Sequence, residues 1–156
     1  MKTKLLLILA LLLFQRAYSQ EIFKEEILKH GIETITAIDE DGKQLIEFFN
    51  AKGEIVKAGE IEIDGTFSLN EEYRYDELGR LNEIIKYTTA GRTHSTKKYQ
   101  YNSQGQLVKA ELLDDDKVDV TWSYTYDIVG NKIKETKESG TSGSSVTVYK
   151  YDSNPS

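Results

Sequence analysis

The chain has 156 residues, no cysteine, and 26 acidic against 20 basic side chains, for a formal charge of −6. The missing cysteine excludes a disulfide scaffold, a thiolate metal site and a lipid-modified cysteine behind a leader. The acidic balance argues against nucleic acid or anionic lipid as a partner, because phosphate binding needs clustered Lys and Arg.

At the N-terminus, Lys2 and Lys4 lead into an apolar run from Leu5 to Phe14, and Ala17-Tyr18-Ser19 has the small-x-small form of a cleavage site. This is the layout of a secretory signal peptide over residues 1–19, and the run is too short to span a bilayer. The expectation is therefore an exported protein, periplasmic or secreted, not a lipoprotein and not inserted in a membrane after cleavage. Cleavage would remove Lys2, Lys4 and Arg16 and leave a more acidic chain starting at Gln20, a residue able to cyclise. Residues 20–31 read as a short N-terminal helix: Phe23 and Ile27 fall on one side of Ile22 to His30, and Gly31 is placed to stop it.

From residue 32 to 156 one phrase recurs: "FNAKGEI", "YDELGRL", "YNSQGQL", "YDIVGNK". Each has an aromatic residue, Asp or Asn, two free positions and Gly. The glycines Gly53, Gly79, Gly105 and Gly130 are spaced by 26, 26 and 25 residues, and the aromatics Phe49, Tyr75, Tyr101, Tyr126 and Tyr151 keep step. A fixed period of this kind marks a repeat architecture. The pairs Asn50 and Gly53, Asp76 and Gly79, Asn102 and Gly105, and Asp127 and Gly130 fit a turn. In it the Asx side chain bonds the following backbone and Gly takes the left-handed angle that closes a hairpin. A fifth pair, Asp39 and Gly42, makes a shorter first unit.

The runs between turns alternate with period two and are rich in Tyr, Val, Ile and Thr, as in "TFSLNEEYRY" and "VDVTWSYTY". They predict strands. Each period is two strands, joined inside by the Asx-x-x-Gly turn and outside by looser ones at Asp64-Gly65, Thr89 to Gly91, Asp114 to Asp116 and Ser139 to Ser144. The expected fold is all-β, an antiparallel meander of about ten strands with a short N-terminal helix. The lone proline, Pro155, falls outside every strand.

The phrase "YRYDELGRL" and its echoes "YQYNSQGQL" and "YTYDIVGNK" resemble the YD (RHS) repeat, Tyr-x-Tyr-Asp-x-x-Gly-Arg-Leu. The match is full at Tyr73, Tyr75, Asp76, Gly79, Arg80 and Leu81. It is partial at Tyr99, Tyr101, Asn102, Gly105 and Leu107, and at Tyr124, Tyr126, Asp127 and Gly130. The resemblance, to a small secreted bacterial member, implies spiralling hairpin sheets that serve as shells or stalks, with carbohydrate binding as a proposed role. The chain departs from large members in its few repeats and in lacking a toxin domain or core protease motif.

Chemistry is sparse. The only histidines are His30, placed to face a helix C-terminus, and His94, in a strand. Asp114-Asp115-Asp116 reads as a solvated turn rather than a calcium site, and "DEDGK" at Asp39 lacks the ligands of a calcium loop. No metal or cofactor is implied, and no catalytic pair is singled out. The feature with functional promise is a banded aromatic face of Tyr73, Tyr75, Tyr99, Tyr101, Trp122, Tyr124 and Tyr126, joined by Tyr149 and Tyr151. It suits a glycan or another envelope or secreted protein, or else these rings are the core. The expected function is a non-enzymatic binding or structural module. The alternatives are an inhibitor or antitoxin-like partner of another exported protein, and a glycan-active enzyme.

Overall fold

The computed structural model describes residues 18–39 and 41–151, with side chains from Lys24 onward. Most of the expected leader, the Phe23 side chain and Pro155 lie outside the described residues. One helix, α1 (Tyr18–His30), precedes ten strands. These are β1 (Thr34–Ile38), β2 (Gln44–Phe49), β3 (Ile55–Ile61), β4 (Phe67–Tyr75), β5 (Leu81–Tyr87), β6 (Thr93–Tyr101), β7 (Leu107–Asp114), β8 (Lys117–Tyr126), β9 (Lys132–Ser139) and β10 (Gly143–Val148). They form a single sheet in sequence order, the meander expected from the repeats. The helix spans Tyr18–His30, against residues 20–31 from the sequence, a difference of the size that helix ends ordinarily show.

The hairpins close through one recurring device. At Asp39, Asn50, Asp76, Asn102 and Asp127 the residue's carbonyl accepts the N–H of the glycine three positions on, at 2.9–3.1 Å. The same residue's N–H donates to the carbonyl four positions on, at 2.9–3.0 Å. Its side-chain Oδ1 accepts two further N–H groups, those of residues two and four ahead. For Asn102 these are Gln104 at 3.0 Å and Gln106 at 2.9 Å; for Asp127 they are Val129 at 3.0 Å and Asn131 at 2.8 Å. One short side chain thus satisfies turn donors that would otherwise depend on water. Gly105 sits at φ +81° to complete the turn, an angle a side chain with a Cβ resists.

Two of the outer turns depart from the sequence reading. Glu62 to Gly65 and Thr88 to Gly91 make the same paired backbone bonds, at 2.8–2.9 Å. They are not looser; only the Asx side chain is missing, and the frame is set two residues earlier than Asp64-Gly65 suggests. The turn between β7 and β8 is of another kind. Asp115 and Asp116 both have positive φ, 45° and 61°, in a two-residue hairpin link without glycine.

The described residues divide into two compact units: those up to Tyr73 with Lys86–Arg92, and Arg74–Ile85 with those from Thr93 onward. In the first, α1 ends as the glycine predicts. Gly31 takes φ +58°, and the Ile32 N–H reaches back to the Ile27 carbonyl at 3.0 Å. Ile27 is 2% exposed, and Leu28 and Lys24 lie over Gly53, where an added Cβ would come within 3.2 Å of Leu28 Cγ. Phe48 and Phe67 meet edge to face at 5.2 Å, and Gly59 lets the Phe67 ring close over β3. The register aligns Glu47, Ala58 and Glu71 in one row, so two carboxylates flank a small side chain. Burial, and then the Glu71 charge, push the Glu47 carboxyl up. In the second unit the buried residues are few and small: Ile85, Thr96, Ala110, Leu113 and Val120. A bulge between Leu112 and Leu113 accompanies the contrast between Val120, 8% exposed, and Val118, 53% exposed.

Two predictions follow from this packing. Asp116→Gly relieves a left-handed angle and should raise stability by about 1 kcal/mol in urea unfolding; no gain would show the turn to be unstrained. Glu47 holds its proton more tightly when folded, so its ionisation destabilises the fold as pH rises from the ordinary glutamate range through the raised value. Glu47→Gln should therefore melt higher than the parent at neutral pH. The difference should vanish in acid, and a pH-independent difference would contradict the assignment.

Candidate functional site

The expected aromatic residues lie on three strands: Tyr73 and Tyr75 on β4, Tyr99 and Tyr101 on β6, and Trp122, Tyr124 and Tyr126 on β8. All seven are half-buried, neither a sealed core nor a bare strip. In the second unit the register places Tyr99, Ala110, Trp122 and Lys137 in one cross-strand row. Small Ala110 between the two large rings leaves them room to lie flat along the sheet. Tyr73, in the first unit, donates its hydroxyl to the Glu71 carboxylate.

Three of the recurring tyrosines share a structural task. The Tyr101 hydroxyl donates to the Leu81 carbonyl at 2.8 Å, Tyr126 to Leu107 at 2.8 Å, and Tyr151 to Lys132 at 2.9 Å. In each case a tyrosine at the end of one strand fastens the first residue of the strand before it. Where the motif is complete, Arg80 adds to this. Its guanidinium binds the Asp76 carboxylate at 2.7 Å and lies 4.8 Å from the centre of the Tyr101 ring. The Arg80 N–H, together with its side chain, holds the Asp76 carboxyl below the usual range.

Lysines, which the alternation pattern did not single out, lie against the rings of Tyr99, Trp122, Tyr124 and Tyr149. Lys97 Nζ lies 5.4 Å from the Tyr99 ring centre and 5.2 Å from that of Trp122, which Lys137 also approaches at 5.8 Å. Lys132 lies 5.4 Å from Tyr124 and 4.7 Å from Tyr149, and binds Glu135 at 2.9 Å. The Glu135 hydrogen bond raises the Lys132 ammonium, and the same bond lowers the Glu135 carboxyl. Burial pushes the Tyr99, Tyr101 and Tyr124 phenols up, with Arg80 opposing the shift at Tyr101. Lys97 was findable from sequence, two positions before Tyr99 on the same face; Lys137 emerges only from the pairing register. Among the described residues, no three His, Asp or Glu side chains gather as metal ligands. His30 pairs with Glu26 at 3.1 Å, and His94 is exposed on β6.

This face sets lysine ammonium groups against half-buried aromatic rings. The family model "Teneurin YD-shell" matches residues 27–154. Among solved structures, that of TcdB2–TccC3–TEV aligns at 17% identity and a TM-score of 0.57, over 76% of this chain and 6% of that one. That of TcdB2–TccC3–Cdc42 aligns at 18% identity and a TM-score of 0.29, over 74% of this chain and 10% of that one. The chain therefore spans a small fraction of the length of the structures it resembles. No curated protein sequence matches it.

Removing the phenol that fastens a hairpin should be measurable on its own. Tyr126→Phe should cost about 1 kcal/mol in urea unfolding and weaken hydrogen-exchange protection at the start of β7. Unchanged stability and protection would remove the tyrosine from the sheet's framework.

Proposed function

Because the chain belongs to the Teneurin YD-shell family, we propose that it acts as an exported, non-enzymatic structural module that meets another protein through its aromatic and lysine-lined sheet face. The observation that carries the reading is the commitment of the motif's own side chains. The phenols of Tyr101, Tyr126 and Tyr151 are bonded to backbone carbonyls of neighbouring strands. These groups serve architecture, and the repeat is the architecture.

A protein suits the exposed remainder better than a sugar. Stacking on a glycan needs an open ring face, and the Trp122 ring has Lys97 and Lys137 against it. Half-buried Tyr and Trp rings are the side chains that anchor protein interfaces, and lysines around them supply steering charge. Export is supported by the Lys2 to Ser19 pattern, and the acidic charge keeps the partner from being nucleic acid.

The test is capture from the native envelope or medium with the parent protein and with Trp122→Ala/Tyr124→Ala. The intact mass of the recovered protein gives its first residue. The expected outcome is a chain beginning at Gln20 and a protein partner lost by the double variant, while its circular dichroism stays that of the parent. Capture unaffected by the double variant, or strong glycan-array binding that it abolishes, would overturn the assigned contact.

A further inference from the structure

The two strands at the ends of the sheet order share what no strand between them has. β1, "TITAI", and β10, "GSSVTV", carry no charged side chain, whereas each of the other eight carries at least one. The ladders at the ends, β1 with β2 and β10 with β9, run without a register shift. Those of β2–β3, β3–β4, β6–β7, β7–β8 and β8–β9 each contain one. Sheet edges are ordinarily protected by charges, proline or bulges. Here the charges and bulges are inside and the regular, neutral, β-branched strands are at the ends. β10 is exposed at every position.

The backbone of both strands is oriented to accept another strand. The Phe49 N–H donates to the Glu33 carbonyl at 2.9 Å, and the Asp39 N–H to the Lys43 carbonyl at 3.0 Å. Odd-numbered residues of β1 therefore face β2, and Thr34, Thr36 and Ile38 turn their N–H and C=O outward. On the other edge the Tyr149 N–H donates to the Ile133 carbonyl at 3.0 Å. By the same alternation, Ser144, Val146 and Val148 face outward from β10.

We propose that β10 of one copy pairs antiparallel with β1 of a second copy, continuing the sheet head to tail. Three features select this occupant. The number of strands is even, so a copy repeated in the same orientation presents β1 antiparallel to β10. The outward residues match three to three, Ser144 with Ile38, Val146 with Thr36 and Val148 with Thr34, and every pair is uncharged. The flanking charges are also complementary. Around β1 and β2, Glu33, Asp39, Glu40, Asp41 and Glu47 outweigh Lys43. Around β9 and β10, Lys132, Lys134, Lys137 and Lys150 outnumber Glu135, Glu138 and Asp152. A two-fold β10–β10 pair would instead bring the lysine-rich ends together. A head-to-tail contact of this type leaves free ends and grows with concentration.

Proline substitutions at outward positions test this without removing a ladder bond inside the copy. Val146→Pro deletes an outward donor of β10, and Thr36→Pro deletes one of β1. Sedimentation velocity on the protein as its host produces it should show the parent's mass rising with concentration beyond a dimer, and less so in high salt. Each variant alone should be monomeric. Their equimolar mixture should stop at a dimer, since each supplies the edge the other lacks. Should a proline variant lose its circular dichroism, Val146→Lys and Thr36→Lys serve in the same design. A parent that stays monomeric to millimolar concentration would overturn the proposal, as would Val146→Pro assembling like the parent. A Thr36→Pro protein that dimerises alone would overturn it in favour of the two-fold pair.

Discussion

Five of the hairpin turns rest on the side-chain oxygen of an Asp or Asn that accepts two backbone N–H groups at a chain reversal. The oxygen does not merely decorate the turn. With the glycine three positions on, it fixes where the strand ends, how far the next one is displaced, and which side chains share a face. A one-residue slip would carry every alternating aromatic to the opposite side. The turn residues thereby set the register that the aromatic rows require.

The rows return the favour. A sheet of this kind, with few fully buried side chains, cannot rely on a deep hydrophobic core. Its cohesion is spread over half-buried rings, phenol-to-carbonyl bonds and cations lying on aromatic faces. Such contacts are local to a hairpin and its neighbour, so the structure can be extended by repetition without a new core being designed. The Asp76, Arg80 and Tyr101 cluster is the fullest form of this arrangement. The partial copies keep the turn and the phenol, with Gln106 and Asn131 at the position of Arg80 bonding the Asx side chain.

How much of this was legible in the sequence differs by kind of interaction. The turns at Asn50, Asp76, Asn102 and Asp127 were, because their chemistry is contained in four residues. The Glu62 and Thr88 turns prove as tight as the Asx ones, since glycine alone does not announce a turn's backbone bonds. The strands that carry the aromatic residues could be read from alternation. Their lysine neighbours could not, because Lys137 meets Trp122 only through a register that a bulge has shifted. The neutrality of both outermost strands was in the letters from the start, yet it acquires meaning only once the strand order is known.

The most direct measurement of the central claim is residue-resolved hydrogen exchange on Asn102→Ala. If the Asx oxygen organises its hairpin, the Gln104 and Gln106 amides should lose protection together with the ladder of β6 and β7. Loss confined to those two amides, with the ladder as protected as before, would show the turns to be a consequence of the sheet rather than its cause.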